Sequence, residues 1–355
     1  MKKVLKVTAV IILVVVAVVA AYVVYVFLTY DRIEDHQTLE LKAEATYDKV
    51  STDTEYTIVT NNIGFGAYTA DFTFFMDGGK GSVAESPESV KKCVGKAAET
   101  IASYNPDFVL IQEIDTDSTR SYHIDERELM AERFGGYESA FACNYHSAYL
   151  LYPITRPHGA SNSGQQTYSR FDISSAERRS LPVSTSASKI VDLDRCYMET
   201  RIPADNGKEL VIYNVHMSAY GGSDNIREKQ MNMLMEDVAE EYAAGNYVIC
   251  GGDFNNDFTC DSVVTFNGEP SEKGWTQPFP VELLPDELSR CLDYTCGYEL
   301  PTCRDCDIPY KEGNFTIIVD GFLITDNIEL TYLENVQTGF EYSDHNPVVM
   351  KFILK

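Results

Sequence analysis

The sequence predicts an α/β layered domain, and two observations carry this prediction. Apolar runs of about four to eight residues recur along the chain, and turn-forming or polar residues end each of them, which indicates buried strands. These runs lie within 55–63, 108–114, 209–217, 247–255, 315–325 and 346–354. Between several runs, apolar residues recur at helical spacing. Strands that alternate with helices are typical of layered α/β domains.

Two segments have the pattern of an amphipathic helix. The first, 85–104, opens with the start signal Ser86-Pro87-Glu88 and carries an apolar stripe at Val90, Val94, Ala97 and Ile101. The second, 225–245, stops at Gly245, a common helix end, and carries the stripe Met231, Leu234, Val238 and Tyr242. Both helices should therefore pack one face against a sheet.

The N-terminus has the features of a membrane anchor. After Lys2, Lys3 and Lys6, the stretch 7–30 contains no charged residue, and a helix of this length crosses a hydrocarbon core of about 30 Å. A cleaved signal peptide is the alternative, with a possible small-residue site at 19–21. We predict an uncleaved single-pass anchor in 1–30, a polar stalk in 31–53 and a catalytic domain in 54–355. The positive-inside rule then puts the N-terminus in the cytoplasm and the domain outside the cell membrane.

The net charge argues against a nonspecific nucleic-acid binder. The chain carries a formal charge of −25, and the part after the anchor carries −28, because three lysines and no acidic residue precede Asp31. Such a field repels polyanions, whereas nonspecific binding to nucleic acids depends on basic contacts to phosphates. A local basic groove remains compatible with this total charge.

Polar side chains stand at or near the ends of six of the apolar segments. They are Asn61 and Asn62, Glu113, His216, Asp253 and Asn255, Asp320, and Asp344 and His345. Each one alone could be a turn cap, a solvated group or a structural histidine. Together they are hard to bury in a core unless a cation or substrate compensates them. Since residues i and i+2 share a face of a strand, we expect Asp253 and Asn255 to face one cleft.

These residues and their order resemble the endonuclease/exonuclease/phosphatase superfamily, the fold of DNase I. The matching blocks span 54 to the C-terminus: Asn62-Ile63, "NPDFVLIQE" (105–113), "YSRF" (168–171), "NVH" (214–216), "GGDFN" (251–255), "VDGFLIT" (319–325) and "SDHNPV" (343–348). No G-x-S-x-G nucleophile elbow is present. The resemblance implies a four-layered α/β sandwich with a metal cleft at one end, and a metal-dependent phosphoric ester hydrolase, either a phosphodiesterase or a phosphatase.

The resemblance also implies roles for single residues. Asn62 and Glu113 would hold Mg²⁺, with Mn²⁺ as an alternative, and Asp344 would complete the metal cleft, since such hard cations prefer oxygen ligands. Asp320 would orient His345, and Asp253 would position the attacking water. His216 and Asn255 would hydrogen-bond the phosphoryl oxygens as charge builds on them.

The chain has nine cysteines, and four of them cluster at Cys291, Cys296, Cys303 and Cys306. A small zinc site could use this spacing, but a domain outside the membrane favours disulfides among these four. Cys250 lies within an apolar run and should be an inert buried thiol.

The substrate is the least determined part of the sequence prediction. We expect a phosphoester, with a small molecule or lipid head group ranked first and nucleic acid second; no protein partner is evident. An endonuclease and a noncatalytic binding module on the same fold remain the alternatives. The aromatic loop 64–82 would cover the cleft, dip into a membrane interface or pack as a surface cluster, and Arg170, Arg178 and Arg179 are candidate phosphate contacts.

Overall fold

Two seven-stranded sheets form the centre of the structure, a computed structural model that describes residues 1–29, 32–183, 194–219, 225–271 and 273–355. Strands are numbered in chain order. In spatial order the first sheet contains β1 (Gln37–Thr38), β7 (Ser175–Ser180), β8 (Cys196–Pro203), β9 (Glu209–His216), β10 (Tyr247–Asp253), β14 (Asp320–Thr325) and β11 (Leu288–Arg290). The second contains β15 (Ile328–Asn335), β16 (Val348–Leu354), β3 (Glu55–Asn62), β4 (Phe108–Asp115), β6 (Asn162–Ser169), β5 (Glu138–His146) and β2 (Leu41–Lys42). A separate two-stranded ribbon joins β12 (Cys303–Arg304) and β13 (Thr316–Ile317).

The described helices are α1 (Lys2–Thr29), α2 (Pro87–Ser103), α3 (Glu126–Ala131), α4 (Ile226–Ala243) and α5 (Ser262–Asn267). The sequence predicted α1, α2 and α4, whereas the short helices α3 and α5 were not predicted. The predicted start of α2 is confirmed, because Oγ of Ser86 accepts a hydrogen bond of 3.1 Å from the backbone N–H of Ser89. This cap satisfies one of the free N–H groups of the first turn.

Three apolar cores separate four layers. The central core lies between the two sheets and includes Phe108 and Ile249. A second core packs α2 against the second sheet, and a third packs α4 against the first sheet. The buried Gln112 also joins the sheets, since its Nε2 donates to Oδ1 of Asn214 over 2.8 Å. The predicted four-layered α/β sandwich is thus confirmed.

Helix α1 is long and apolar enough to cross a membrane, and a signal sequence near an N-terminus would have the same composition. The predicted boundary between anchor and stalk, at 30 and 31, lies outside the described residues. The segment predicted as a stalk lies along the edges of both sheets: β1 pairs with β7, β2 pairs with β5, and Val50 is buried. This segment therefore rests on the domain.

The predicted disulfides are wrong, because all nine cysteines are free thiols in the structure. The four clustered cysteines lie in different environments: Cys291 packs between the sheets, Cys306 packs in the α2 core, Cys303 packs beside the β12–β13 ribbon, and Cys296 is exposed. Among the described residues, the one group that could hold a metal contains no cysteine, so the zinc alternative finds no support. Cys250 is buried, and burial raises the pKa of its thiol.

Candidate active site

Three neighbouring strands bring the first part of the site together. Strand β10 lies between β9 and β14, so that Asp253 pairs with His216 on one side and with Asp320 on the other. Gly252 makes this approach possible, because its φ is +142° and an added Cβ would lie 2.1 Å from the carbonyl oxygen of Val215. Only glycine tolerates this position. The paired glycines before Asp253 thus have a structural cause.

A β-bulge directs Glu113 toward the same end of the sheets. Strands β3 and β4 run parallel and place Asn62 opposite Gln112. The pairing of β4 with β6 then slips between Ile111 and Ile114, and Glu113 takes a φ of +53°. A bulge of this kind releases a residue from the ladder and redirects its side chain. Glu113 therefore reaches the cleft, and Gln112 remains in the core.

The loop that carries Asp344 and His345 is fixed from two sides. Oγ of Ser343 donates to the carbonyl oxygen of Asn62 over 2.8 Å, and the backbone N–H of Arg304 donates to the carbonyl oxygen of Asp344 over 3.0 Å. Behind this loop, Oγ1 of Thr302 accepts from the N–H of Asp320 over 3.2 Å. The backbone at these catalytic candidates is therefore well supported.

A cleft of about 220 Å³ opens at this end of the two sheets. Six of the eight predicted catalytic and metal residues line it, namely Glu113, His216, Asp253, Asn255, Asp344 and His345. Asn62 and Asp320 lie behind the lining and contact it by hydrogen bonds. The structure thus gathers all eight residues that the sequence singled out.

His345 and Asp320 form a buried pair. Nδ1 of His345 lies 2.8 Å from Oδ2 of Asp320, and Nε2 lies 3.9 Å from Oδ2 of Asp253. Burial lowers the pKa of His345, but the Asp320 carboxylate and the neighbouring Cys303 outweigh burial and raise the pKa well above its ordinary value. The imidazole therefore carries a proton at neutral pH.

Asp253 is buried and has no guanidinium or ammonium partner among the described residues. Its carboxylate accepts from the N–H of Asn255 at 2.9 Å and from Nδ2 of Asn62 at 3.1 Å. Burial raises the pKa of Asp253 to about 7; His345 lowers this pKa, and Asp320 raises it. A carboxyl group with this pKa can exchange a proton near neutral pH.

His216 approaches two of these carboxylates. Its Nε2 lies 3.6 Å from Oδ2 of Asp253 and 3.8 Å from Oε1 of Glu113. Burial lowers the pKa of His216 well below its ordinary value, and the cationic Arg195, His345 and Arg120 lower it further. His216 is therefore neutral, whereas His345 is protonated.

Asn255 faces the cleft for a different reason from the one the sequence suggested. Strand β10 ends at Asp253, and Asn255 lies in a turn with a φ of +50°. Its Nδ2 donates to the carbonyl oxygen of Met217 over 2.9 Å. The tight turn, not the alternation of strand faces, puts Asn255 beside Asp253. The side-chain amide of Asn255 has two N–H groups, and the bond to Met217 uses only one of them.

Asn62 presents its amide nitrogen, not its oxygen, to the cleft. Its Oδ1 accepts from the backbone N–H of Gly64 over 3.0 Å, and its Nδ2 lies 3.4 Å from Oε1 of Glu113. If the amide oxygen and nitrogen of Asn62 exchanged places, its NH₂ group would face the backbone N–H of Gly64, and two donors would meet. In this structure Asn62 therefore supports Glu113 and Asp253 through its amide nitrogen. Its role as an oxygen ligand stays a prediction, since an amide oxygen that accepts one hydrogen bond keeps a second lone pair.

Glu113 and Asp344 fit a hard divalent cation. Both carboxylates line the cleft, and neither has a lysine or arginine ion pair among the described residues. Burial raises the pKa of Asp344; His345 lowers it, and Glu113 raises it. Two carboxylates without a basic counter-ion form an oxygen site of the kind that Mg²⁺ or Mn²⁺ occupies. Asp253, Asp320 and His345 also lie close enough to share a metal, but Nδ1 of His345 is engaged by Asp320.

The arginines at the cleft differ from those that the sequence suggested. Arg120, Arg195 and Arg304 line it. The three suggested arginines bond elsewhere: Arg170 to Tyr137 and Asn105, Arg178 to the backbone of Cys143 and Asp194, and Arg179 to Asp237. None of the three arginines that line the cleft was among the candidates that the sequence indicated.

The aromatic loop 64–82 forms one wall of the cleft. Phe65 and Tyr68 are buried, and their rings pack edge-on with centroids 5.3 Å apart. Phe72 and Phe74 are half-buried against the same core. The loop therefore packs into the domain, and its aromatic residues are not free to enter a membrane as the sequence left open.

Comparisons with known proteins agree with the fold. The sequence profile of the Endonuclease/Exonuclease/phosphatase family matches residues 62–345. No curated protein matches the sequence. An endonuclease/exonuclease/phosphatase structure from Beutenbergia cavernae has 16% sequence identity and a TM-score of 0.56, over 84% of this chain and 72% of that chain. ANGEL2, a 2′,3′-cyclic phosphatase, has 14% identity and a TM-score of 0.55, over 89% and 98%. The human Nocturnin catalytic domain has 17% identity and a TM-score of 0.52, over 89% and 98%.

The family profile covers most of the chain, from Asn62 at the end of β3 to His345 in the last loop of the site. The order of strands, the cleft and the family match thus lead to one conclusion: this chain belongs to the Endonuclease/Exonuclease/phosphatase family.

Proposed function

We propose that this protein is a metal-dependent phosphoric ester hydrolase, anchored by α1 with its catalytic domain outside the cell membrane. The observation that carries the proposal is the convergence of two elements in one cleft. One is the carboxylate pair of Glu113 and Asp344, and the other is the hydrogen-bonded pair of Asp320 and His345. Phosphoester hydrolysis needs both neutralised oxygen charge and an ordered set of proton donors and acceptors.

Glu113 and Asp344 would hold the cation, with Asn62 supporting Glu113 through its amide nitrogen. When bound, Mg²⁺ or Mn²⁺ supplies positive charge that stabilises the phosphoryl oxygens. The cation would also offset the repulsion from Glu113, which adds to the effect of burial in raising the pKa of Asp344. The cation site and the substrate site therefore share one wall of the cleft.

Asp253 would orient the attacking water and accept its proton. Its pKa of about 7 leaves a large fraction ionised at neutral pH, and its Oδ1 is fixed by the N–H of Asn255. Nε2 of His345 lies 3.9 Å from Oδ2 of Asp253. It could therefore contact the phosphoryl group that this water attacks. Water and phosphate would thus meet between these two side chains.

The two histidines would donate from opposite sides. His345 is protonated because Asp320 stabilises its charge, so its Nε2–H can hydrogen-bond a phosphoryl oxygen as charge develops. His216 is neutral and can donate one hydrogen bond from Nε2. The free N–H of Asn255 completes a set of donors around the phosphoryl group.

The lysines in the first turns of α1 and the acidic residues that follow this helix support the outward orientation of the domain. The net charge of −28 after the helix opposes capture of polyanions, and it favours a small or lipid phosphoester over nucleic acid. ANGEL2 is described as a 2′,3′-cyclic phosphatase, so a related fold does act on a phosphoester.

The test is hydrolysis by the full chain in detergent micelles, measured with Mg²⁺ and with EDTA. The panel should contain bis(4-nitrophenyl) phosphate, 4-nitrophenyl phosphate, phosphatidylcholine, plasmid DNA and RNA. We expect metal-dependent turnover of at least one ester and slow cleavage of DNA and RNA. Folded protein that turns over no ester with either Mg²⁺ or Mn²⁺ would indicate a noncatalytic binding module. Rapid cleavage of DNA or RNA at physiological salt would instead indicate a nuclease.

A further inference from the structure

One patch of exposed apolar residues lies beside the cleft. We call it the apolar rim and define it as Met76, Tyr149, Leu151, Tyr152 and Ile154. The side chains of Tyr152 and Ile154 are 68% and 86% exposed. The other large exposed hydrophobic residues described in 32–355 are separate from one another in sequence: Tyr47, Val264, Val281, Tyr298 and Ile308. A cluster of exposed apolar side chains of this kind marks an interaction surface.

The apolar rim is attached to the hydrophobic helix. The hydroxyl of Tyr22 donates to the carbonyl oxygen of Tyr149 over 3.2 Å and accepts from the N–H of Leu151 over 3.1 Å. The hydroxyl of Tyr25 accepts from the N–H of Tyr149 over 3.2 Å. The last turns of α1 and the loop that carries the rim are therefore in direct contact.

The length of α1 fixes the level of this contact relative to a bilayer. Its 28 residues extend about 42 Å at about 1.5 Å per residue, which exceeds a hydrocarbon core of about 30 Å. With Lys2, Lys3 and Lys6 outside the core on one side, Tyr22 and Tyr25 lie near the opposite boundary. Tyrosines are enriched at that boundary. In a bilayer that α1 crosses, the apolar rim would therefore lie at the membrane interface.

The apolar rim also borders the mouth of the cleft. Met76 lines both, and Phe74 and His158 line the cleft close to it. The ring of Phe75 packs 5.6 Å from Tyr152 and 5.8 Å from His158, and so joins the rim to the cleft wall. A cleft whose mouth adjoins the membrane interface can receive a head group directly from the bilayer.

We propose that the apolar rim inserts into the bilayer that α1 crosses and presents the cleft to the phosphodiester of a zwitterionic membrane lipid. The inference rests on the proposed hydrolase function for its substrate part only. Apolar side chains favour the acyl boundary, and tethering by α1 keeps the head groups at high local concentration. The net charge of −28 after the helix repels anionic lipids, so a head group without net charge fits best.

Insertion can be tested without any activity, because the chain has a single tryptophan. In a Trp275→Phe background, Tyr152→Trp places a fluorophore in the rim. Tyr298→Trp is the matched control, because Tyr298 is 61% exposed and lies far from the apolar rim along the second sheet. Nearby Thr295 hydrogen-bonds to β15 at one edge of this sheet, whereas the loop of the rim follows β5 near the opposite edge. In vesicles of brominated phosphatidylcholine we expect at least twofold stronger quenching at Tyr152→Trp. Equal quenching of the two variants would overturn the proposal.

The substrate part is tested with the double variant Leu151→Ser/Ile154→Ser, since neither residue lines the cleft. We expect turnover of bis(4-nitrophenyl) phosphate within twofold of wild type, and at least tenfold slower release of phosphocholine from phosphatidylcholine vesicles. Tyr298→Ser should change neither rate. Equal losses of the double variant on both substrates, or no loss on vesicles, would overturn the proposed lipid substrate. Turnover of phosphatidylglycerol by wild type that is faster than turnover of phosphatidylcholine would also overturn it. If wild type hydrolyses neither substrate, the hydrolase function fails, and the quenching experiment still decides the membrane contact.

Discussion

Asp115 and Asp253 are both buried aspartates at the C-terminal ends of strands, yet their surroundings differ. Asp115 accepts from Nε and Nη2 of Arg120 at 3.0 and 2.9 Å and from Oγ of Ser121 at 2.8 Å. Asp253 accepts from two amide N–H groups, and the nearest histidine nitrogens lie 3.6 and 3.9 Å away. The fold neutralises Asp115 with an arginine, and it leaves Asp253 without one among the described residues.

The difference separates a carboxylate that holds the fold from one that is available for chemistry. A bidentate guanidinium satisfies Asp115 in geometry and charge. Burial raises the pKa of Asp253 to about 7, and His345 offsets this rise only in part. Unneutralised carboxylates reduce the stability of a protein that lacks its ligand. We therefore expect opposite consequences when the two aspartate sites are changed.

The largest expected effect is on stability at Asp115. Arg120→Ala leaves a buried carboxylate without its cation, so we expect the free energy of unfolding to fall by about 3–5 kcal/mol. Chemical denaturation of the full chain in detergent measures this loss. Arg127→Ala is the control, because its ion pair with Asp125 is more than a quarter exposed on both sides, and such pairs contribute about 0–1 kcal/mol. Equal losses in the two variants would show that the buried pair of Asp115 and Arg120 stabilises the fold no more than an exposed ion pair does.

The next effect is on turnover. His345→Ala removes the protonated imidazole that Asp320 holds, and we expect at least ~10²-fold slower hydrolysis, the lower range for general acid–base groups. The free energy of unfolding should change much less than in Arg120→Ala. His123→Ala is the matched control, since its Nδ1 lies 2.5 Å from Asp117 in an exposed pair, and neither residue lines the cleft. An unchanged rate in His345→Ala would disprove its assigned role.

The smallest expected effect is a gain in the free energy of unfolding, not a loss. Because the folded-state pKa of Asp253 is raised from 3.8 to about 7, its ionised form destabilises the native state above the unfolded pKa. Asp253→Asn should therefore increase the free energy of unfolding in EDTA by about 1 kcal/mol, as other stabilising substitutions do. The gain should be complete above pH 7 and should vanish below pH 4, where both states bind the proton. Denaturation at pH 4 and pH 8 measures it; a loss of stability at pH 8 would refute the comparison.

The sequence allowed the main strands, two helices and the site to be predicted, because buried strands leave long apolar runs and their polar ends interrupt them. Glu113, Asp253 and His345 were found in this way, and the order of the motifs indicated which side chains would meet. The pairing of the strands was not predicted: the parallel neighbours β3–β4 in one sheet and β9–β10 in the other bring their C-terminal ends to the same end of the sandwich. The apolar pattern and the order of the motifs, through the resemblance to a known family, were sufficient for the residues themselves.

What the sequence could not provide depends on local geometry. The oxygen of Asn62 is engaged by Gly64, and Asn255 reaches the cleft through a turn. Neither arrangement leaves a signal in residue type or spacing. The cysteine cluster from Cys291 to Cys306 is close in sequence, but its members pack in separate environments. The apolar rim was also missed, because exposure at Tyr152 and Ile154 depends on the packing of a loop without regular structure.

The most direct test of the central claim is whether a divalent cation stabilises the protein through the cleft carboxylates. Thermal unfolding should be measured in EDTA and then at increasing Mg²⁺ or Mn²⁺, for wild type and for Asp344→Asn. We expect metal to raise the free energy of unfolding of wild type by about 2.7 kcal/mol at one hundred times the dissociation constant, and we expect Asp344→Asn to lose most of this gain. Equal stabilisation of both proteins, or none in wild type, would contradict it.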